Sequence, residues 1–144
     1  MKESIFKFKS PEVEKVMFVT NDNFDDNKYE GITIGGRTQI QKAEKEPIAK
    51  VRLRVKIGDK SEKFPFLIDI VIAGMFSWEE DTNEENIDAL LRINAPSLLL
   101  SYVRTVIASI TSYSKFSTFN IPFINMEDNE AEYIKEDTET SEIQ

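Results

Sequence analysis

The chain has 144 residues, with 26 Asp and Glu, 18 Lys and Arg, and neither Cys nor His. This length bounds one domain with a modest core; the lack of Cys excludes a disulfide framework and thiolate chemistry, and the lack of His removes the commonest general base and metal ligand. The net charge of −8 is concentrated, because residues 127–144 hold eight acids and one Lys and leave the rest near −1; neither part carries the clustered bases that a nucleic-acid backbone attracts.

Residues 1–9 contain no apolar run of signal-peptide length. The longest apolar stretches, 64–78 and 98–110, are interrupted by Pro65 and Asp69 and by Ser101 and Arg104, and fall short of the ~20 residues of a membrane helix. A soluble, cytoplasmic protein with no membrane and no nucleic-acid partner is expected.

Strands dominate the first half. Residues 5–9 and 13–20 predict one or two strands with a break or bulge at Pro11. A turn-rich Asn/Asp loop follows over 21–27. Residues 29–40 predict a strand with a bulge or kink at Gly35-Gly36, and 42–46 a charged connection ending at Pro47. Residues 48–57 alternate: Ala49, Val51, Leu53, Val55 and Ile57 share one face, and Lys50, Arg52, Arg54 and Lys56 share the other. Gly58-Asp59 signals a turn and an antiparallel return. The returning strand, 63–78, places Phe64, Phe66, Ile68, Ile70, Ile72, Phe76 and Trp78 on one face, with Leu67, Asp69, Val71 and Met75 on the other.

Residues 79–88 hold six acids and no base. The stretch predicts a loop capped by Thr82 or Asn83 at the start of a helix, because it lacks the central Gly of a calcium loop. A short helix over 87–93 is expected to stop before Ala95-Pro96. A long helix then begins and ends near Lys115. Leu99, Val103, Val106, Ile110 and Tyr113 recur along it at 4-3-4-3 spacing, which makes an apolar stripe. The opposite side carries Ser97, Ser101, Thr105, Ala108 and Ser112, with Arg104 as its only charge. Small residues in place of a charged face predict a helix covered twice, by its own sheet and by another subunit. Those six residues form the expected oligomer interface.

Residues 116–126 are aromatic and branched, and 127–144 form an acidic tail with at most a weak helix around 130–134. The expected domain is therefore 1–126, followed by a largely disordered tail. Catalytic chemistry is not visible. Ile34-Gly35-Gly36-Arg37 lacks the Lys-Ser/Thr of a phosphate loop, the serines have no His to activate them, and the pairs Asp25-Asp26 and Glu79-Glu80 lie in polar loops. No enzyme, cofactor or metal site is expected.

Three blocks carry a resemblance. Residues 66–70, Phe-Leu-Ile-Asp-Ile, run into Ala73-Gly74-Met75-Phe76-Ser77. Residues 95–104 read Ala-Pro-Ser-Leu-Leu-Leu-Ser-Tyr-Val-Arg. Residues 116–125 read Phe-Ser-Thr-Phe-Asn-Ile-Pro-Phe-Ile-Asn. In order and spacing they resemble the last strand, the head of the long helix and the following segment of the SecB family of protein-export chaperones. The resemblance implies an α+β fold: a four-stranded antiparallel sheet, a short helix, a long helix and a C-terminal helix that is weak here. It also implies a homotetramer, as a dimer of dimers, with the long helices sandwiched between sheets. The family holds unfolded preproteins in apolar grooves without ATP and passes them to the motor SecA.

By resemblance, Ile32 and Ile34 contribute to the client groove. Tyr29, Phe76, Trp78, Phe119, Ile121, Phe123 and Met126 are candidates from their residue types, although core packing is the stronger reading for Phe76. The SecA-facing surface is matched only by Leu67 and Asp69; Lys15 and Val19 stand where first-strand carboxylates belong. The alternatives are a SecB-like chaperone dedicated to one client such as an antitoxin, and a non-chaperone adaptor or structural subunit.

Overall fold

The computed structural model describes residues 1–2 and 4–135. Strands β1 (Lys7–Thr20), β2 (Ile34–Lys42), β3 (Ile48–Ile57) and β4 (Phe66–Ser77) precede a helical run. That run comprises α1 (Glu84–Ala89), a π turn (Leu90–Asn94) and α2 (Ala95–Ser112). A short strand, β5 (Ala131–Ile134), follows. The sheet order is β1-β4-β3-β2-β5. β1 to β4 pair antiparallel, as the alternation predicts, and β5 adds to β2 in parallel. The sheet is therefore mixed and five-stranded, and the weak helix expected at 130–134 is a strand.

Local chemistry explains most boundaries. β1 is one strand, because its register shifts between Lys9 and Glu12 and again between Val13 and Lys15, and these irregularities accommodate Pro11 on an edge strand. β2 starts at Ile34 rather than at 29, since Gly31 at φ 105° turns the chain out of the extended region. No bulge forms at Gly35-Gly36, which pair in unbroken register with Lys56 and Val55. Gly58, at φ 74°, closes the β3–β4 turn where a Cβ would run into the Phe66 carbonyl. Gly74 on β4 leaves room for the Phe8 ring and the Leu99 side chain, which a Cβ would meet at 2.5 and 3.3 Å.

Asn83 caps α1 by accepting from the Glu85 amide at 2.7 Å, which explains the acidic first turn without a cation. Among the described residues no acidic cluster could hold a metal ion. The expected stop before Pro96 does not occur. The π turn widens the helix, so that Ala95 N–H reaches back to the Leu90 carbonyl, and Pro96 begins α2 where its missing donor is tolerated. The unbroken run 84–112 thereby becomes long and apolar enough to cross a membrane, with mean hydropathy 1.3 in its most apolar window. Instead it lies on the sheet. Leu99, Val103 and Ile107 are fully buried against Val51, Leu53, Ile70 and Ile72 in one core cluster. Each such side chain contributes about 1.5–3 kcal/mol of burial.

Candidate functional site

After α2 the chain turns and runs back along the helix. The buried Thr111 hydroxyl accepts from the Phe119 amide at 2.9 Å and donates to the Ile107 carbonyl at 2.8 Å. About two turns earlier on α2, Arg104 donates to the carbonyls of Ile121 and Pro122, the latter at 2.8 Å. Near the start of α2, a groove of about 430 Å³ is lined by Ser97, Leu100, Arg104, Phe123, Ile124 and Met126. The segment thus flanks α2 antiparallel to it, tied down by hydrogen bonds from its backbone to α2 side chains. Ile121 and Met126 are buried beneath it, Phe119 and Ile124 are half-buried, and Phe123 is 95% exposed.

The other end of this flank continues into a chain of rings. Phe119 and Phe116 both pack on Phe66, at 6.2 and 6.1 Å; Phe116 meets Phe24 at 6.0 Å, and Phe24 meets Tyr29 at 6.1 Å. Tyr29 is 49% exposed. Ile32 and Ile34 are half-buried against the core, and Ile32 shares a polar-rimmed hollow of about 500 Å³ with Glu30, Lys63 and Phe64. Phe119, Ile121, Phe123 and Met126 therefore lie along the flank of α2, Tyr29 joins them through the rings, and Ile32 and Ile34 pack on the core at the start of β2. Phe24, Phe116, Leu100 and Ile124 join this apolar strip without having been singled out from the sequence. Phe24 was hidden in a turn-forming loop and Leu100 within the long helix, and only the aromatic and branched content of 116–126 hinted at Phe116 and Ile124.

Phe76 and Trp78 sit elsewhere. Both are buried at the far end of β4, where Phe6 stacks on them at 5.2 and 6.4 Å and Phe8 meets Phe76 at 5.1 Å. Phe76 has 1% of its surface exposed, so its contribution is to packing.

The exposed side of α2 is smooth. Ser97, Ser101, Thr105 and Ser112 are exposed and Ala108 is half-exposed. The Ser97, Ser101 and Ser112 hydroxyls donate to the helix's own carbonyls at Ile93, Leu98 and Ser109. Turned inward, they leave short methylenes on the surface. Leu98, Tyr102 and Tyr113 stand exposed beside them. Only one third of the most apolar window of this helix is buried within the chain. Arg104, grouped with the stripe from the sequence, is committed to the returning segment.

The sheet face away from α2 is charged. Asp69 is buried and accepts from Arg54 at 3.0 and 2.7 Å and from Lys15 at 2.9 Å. The Arg54 hydrogen bonds first, then Lys15, hold its carboxyl down to about 2 despite burial. Glu14 pairs with Arg52 at 2.7 Å and Lys50 at 3.5 Å. Leu67 is half-buried opposite Val19 and lines a hollow of about 500 Å³ with Met17. Asp69 and Glu14 are thus neutralised within the chain.

A mixed five-stranded sheet backed by one long helix, with a returning apolar segment along that helix, defines an α+β domain of the SecB type. The family model described as preprotein translocase subunit SecB matches residues 32–136, from just before β2 through β5. The chain belongs to the SecB family. Protein-export protein SecB of Anaplasma phagocytophilum is 39% identical over 79 residues, covering 53% of this chain and 50% of that protein. The protein of the same name from Buchnera aphidicola is 31% identical over 90 residues, covering 62% and 58%. The chain thus spans about half the length of the curated relatives it matches. Among solved structures, a SecB-like chaperone of Mycobacterium tuberculosis, in complex with a ChAD peptide from an antitoxin, shares the fold at TM-score 0.62. Its identity is 14%, over 83% of this chain and 90% of that one.

Proposed function

We propose that this chain is a holdase that binds unfolded polypeptides, preproteins for export in the first instance, without ATP. The observation that carries the proposal is the strip along α2, and above all Phe123. This phenyl ring is 95% exposed on a segment whose backbone is fixed by Arg104 and Thr111. A tethered segment that keeps an aromatic ring in water is poised to exchange that exposure for contact with a client. Removing apolar client surface from water yields ~25 cal/mol per Å², without direction, so affinity follows exposed hydrophobic surface rather than one sequence. In a homotetramer, several strips acting on one long client add avidity. The small-residue stripe of α2, Ser97 to Ser112, supports that assembly, with another copy covering the side that the sheet does not.

The test is aggregation of an unrelated unfolding client, read by light scattering with no nucleotide. Suppression near one client per tetramer is expected, and Phe123→Ser should weaken it severalfold while leaving the unfolding midpoint unchanged. Continued aggregation at a severalfold excess of chaperone would overturn the proposal.

A second reading, a SecB-like chaperone dedicated to one client such as an antitoxin, is favoured by the neutralised Asp69 on the outer sheet face. With Arg54 and Lys15 on that carboxylate, and Lys15 and Val19 in β1, this face offers SecA little free acid around Leu67. A pull-down with immobilised SecA separates the two: retention supports the export role, and its absence alongside intact holdase activity supports the dedicated one. Capture of a single folded protein in fixed stoichiometry, without holdase activity, is the outcome expected of an adaptor.

A further inference from the structure

The edge of the sheet at β2 is closed by a strand that fits it incompletely. β5 contributes four residues in parallel, Ala131 to Ile134 against Thr38 to Gln41. The Thr38 amide donates to the Glu130 carbonyl at 2.8 Å. Glu132 accepts from Arg37 at 2.7 Å and from Gln39 Nε2 at 3.1 Å, and Tyr133 donates to Asp88 at 2.6 Å. These bonds are largely polar and near solvent, and no residue of β5 is fully buried. Arg92 adds a bond to the Ala131 carbonyl at 2.9 Å and lies 4.8 Å from the Tyr133 ring, and Asn129 donates to Thr38 Oγ1 at 2.6 Å. Held mainly by such bonds and not by a buried face, a four-residue edge strand belongs to the elements that open before the core.

The pairing also leaves a defect. Gln39 is 4% exposed, and its Oε1 has no hydrogen-bond partner. An ionised Glu132 accepts only, so it cannot supply the missing donor. A side-chain amide in the place of Glu132 carries the kind of donor that a carboxylate lacks, and its oxygen can still accept.

We propose that the β2 edge from Thr38 to Gln41 is a binding site for an extended polypeptide segment, added as a parallel strand, and that β5 is its resident intramolecular occupant. The segments it takes carry an amide or carboxylate side chain in the place of Glu132 and an aromatic hydroxyl in the place of Tyr133. Main-chain bonds supply sequence-tolerant affinity, and the two side-chain positions supply preference. The inference rests on the holdase reading, because unfolded clients are the source of such segments.

The probe is a fluorescent heptapeptide copying residues 129–135, titrated into the full chain and into its Glu132→Arg variant while amide exchange at Thr38 is followed. The variant sets two cations against each other at Arg37 and releases β5. At least tenfold faster exchange at Thr38 and at least tenfold tighter peptide binding are expected, and saturating peptide should restore the protection. Tyr133→Phe, which removes only the bond to Asp88, should move both readouts the same way by a smaller factor; it serves as the test if Glu132→Arg does not fold. Equal peptide affinity in parent and variant, or binding that leaves Thr38 unprotected, overturns the proposal. Client aggregation is not read here, so failure of the edge site and failure of holdase activity are separately visible.

Discussion

Asp69 shows how one side chain couples the sheet to pH. Its folded value of about 2 lies below the ordinary 3.8, so the unfolded state binds the proton more readily. The stabilisation is therefore complete above about pH 4 and is lost as pH falls through 2. About 2 kcal/mol should disappear over that window. Asp69→Asn should flatten that part of the profile, and at pH 7 should cost about 3 kcal/mol, because Arg54 and Lys15 are left without their partner. Urea unfolding at a series of pH values measures both. Gly74 makes a steric counterpart. Gly74→Ala forces a Cβ against Phe8 and Leu99 and should lower stability by about 1–3 kcal/mol. The same change at Gly35, whose Cβ would have its nearest neighbour at 3.9 Å, should stay within about 0.5 kcal/mol. Thermal unfolding of the two variants side by side separates the packing role of Gly74 from the generic effect of replacing a glycine.

The returning segment is fastened to α2 by few bonds, so its hold can be measured. Arg104→Ala should cost about 2 kcal/mol and speed amide exchange across 119–126, since a charged donor to two carbonyls is lost. Much of this architecture was legible. The strict alternation of 48–57 and 63–78 fixed faces and pairing, and Asn83 identified itself as a cap by standing before two acids. Other boundaries were hidden for physical reasons. Pro96 reads as a helix stop only if the preceding turn is α; the π turn, invisible to periodicity, makes room for it. Gly35-Gly36 signals a bulge in isolation, yet full pairing with β3 keeps it regular. Ala131 to Ile134 is too short to distinguish a period of 2 from one of 3.6, and its partners Arg37, Gln39 and Asp88 lie 95, 93 and 45 residues away. The bonds of Arg104 to the returning segment were not legible, because its carbonyl partners, 17 and 18 residues on, carry no side-chain signature.

The molecule as a whole presents two surfaces of α2 with different chemistry: a back-bonded stripe of small residues, and a flank of rings and branched side chains. The proposed tetramer uses the first for close approach of another copy, and the proposed holdase activity uses the second for transient apolar contact. Sedimentation should return a multiple of the 16.6 kDa chain mass, fourfold for the tetramer, and Ala108→Glu should lower it. The strip was only partly legible from residue type. Phe123 and Met126 look alike in a hydrophobic stretch, yet one is in solvent and the other buried, a difference set by how Arg104 and Thr111 hold the backbone. The most direct measurement is hydrogen exchange on the assembly with and without a saturating, permanently unfolded client. Slowed exchange over 116–126, together with the loop around Tyr29 and Ile32, is the expected result. A bound client that leaves those amides unchanged would contradict the account.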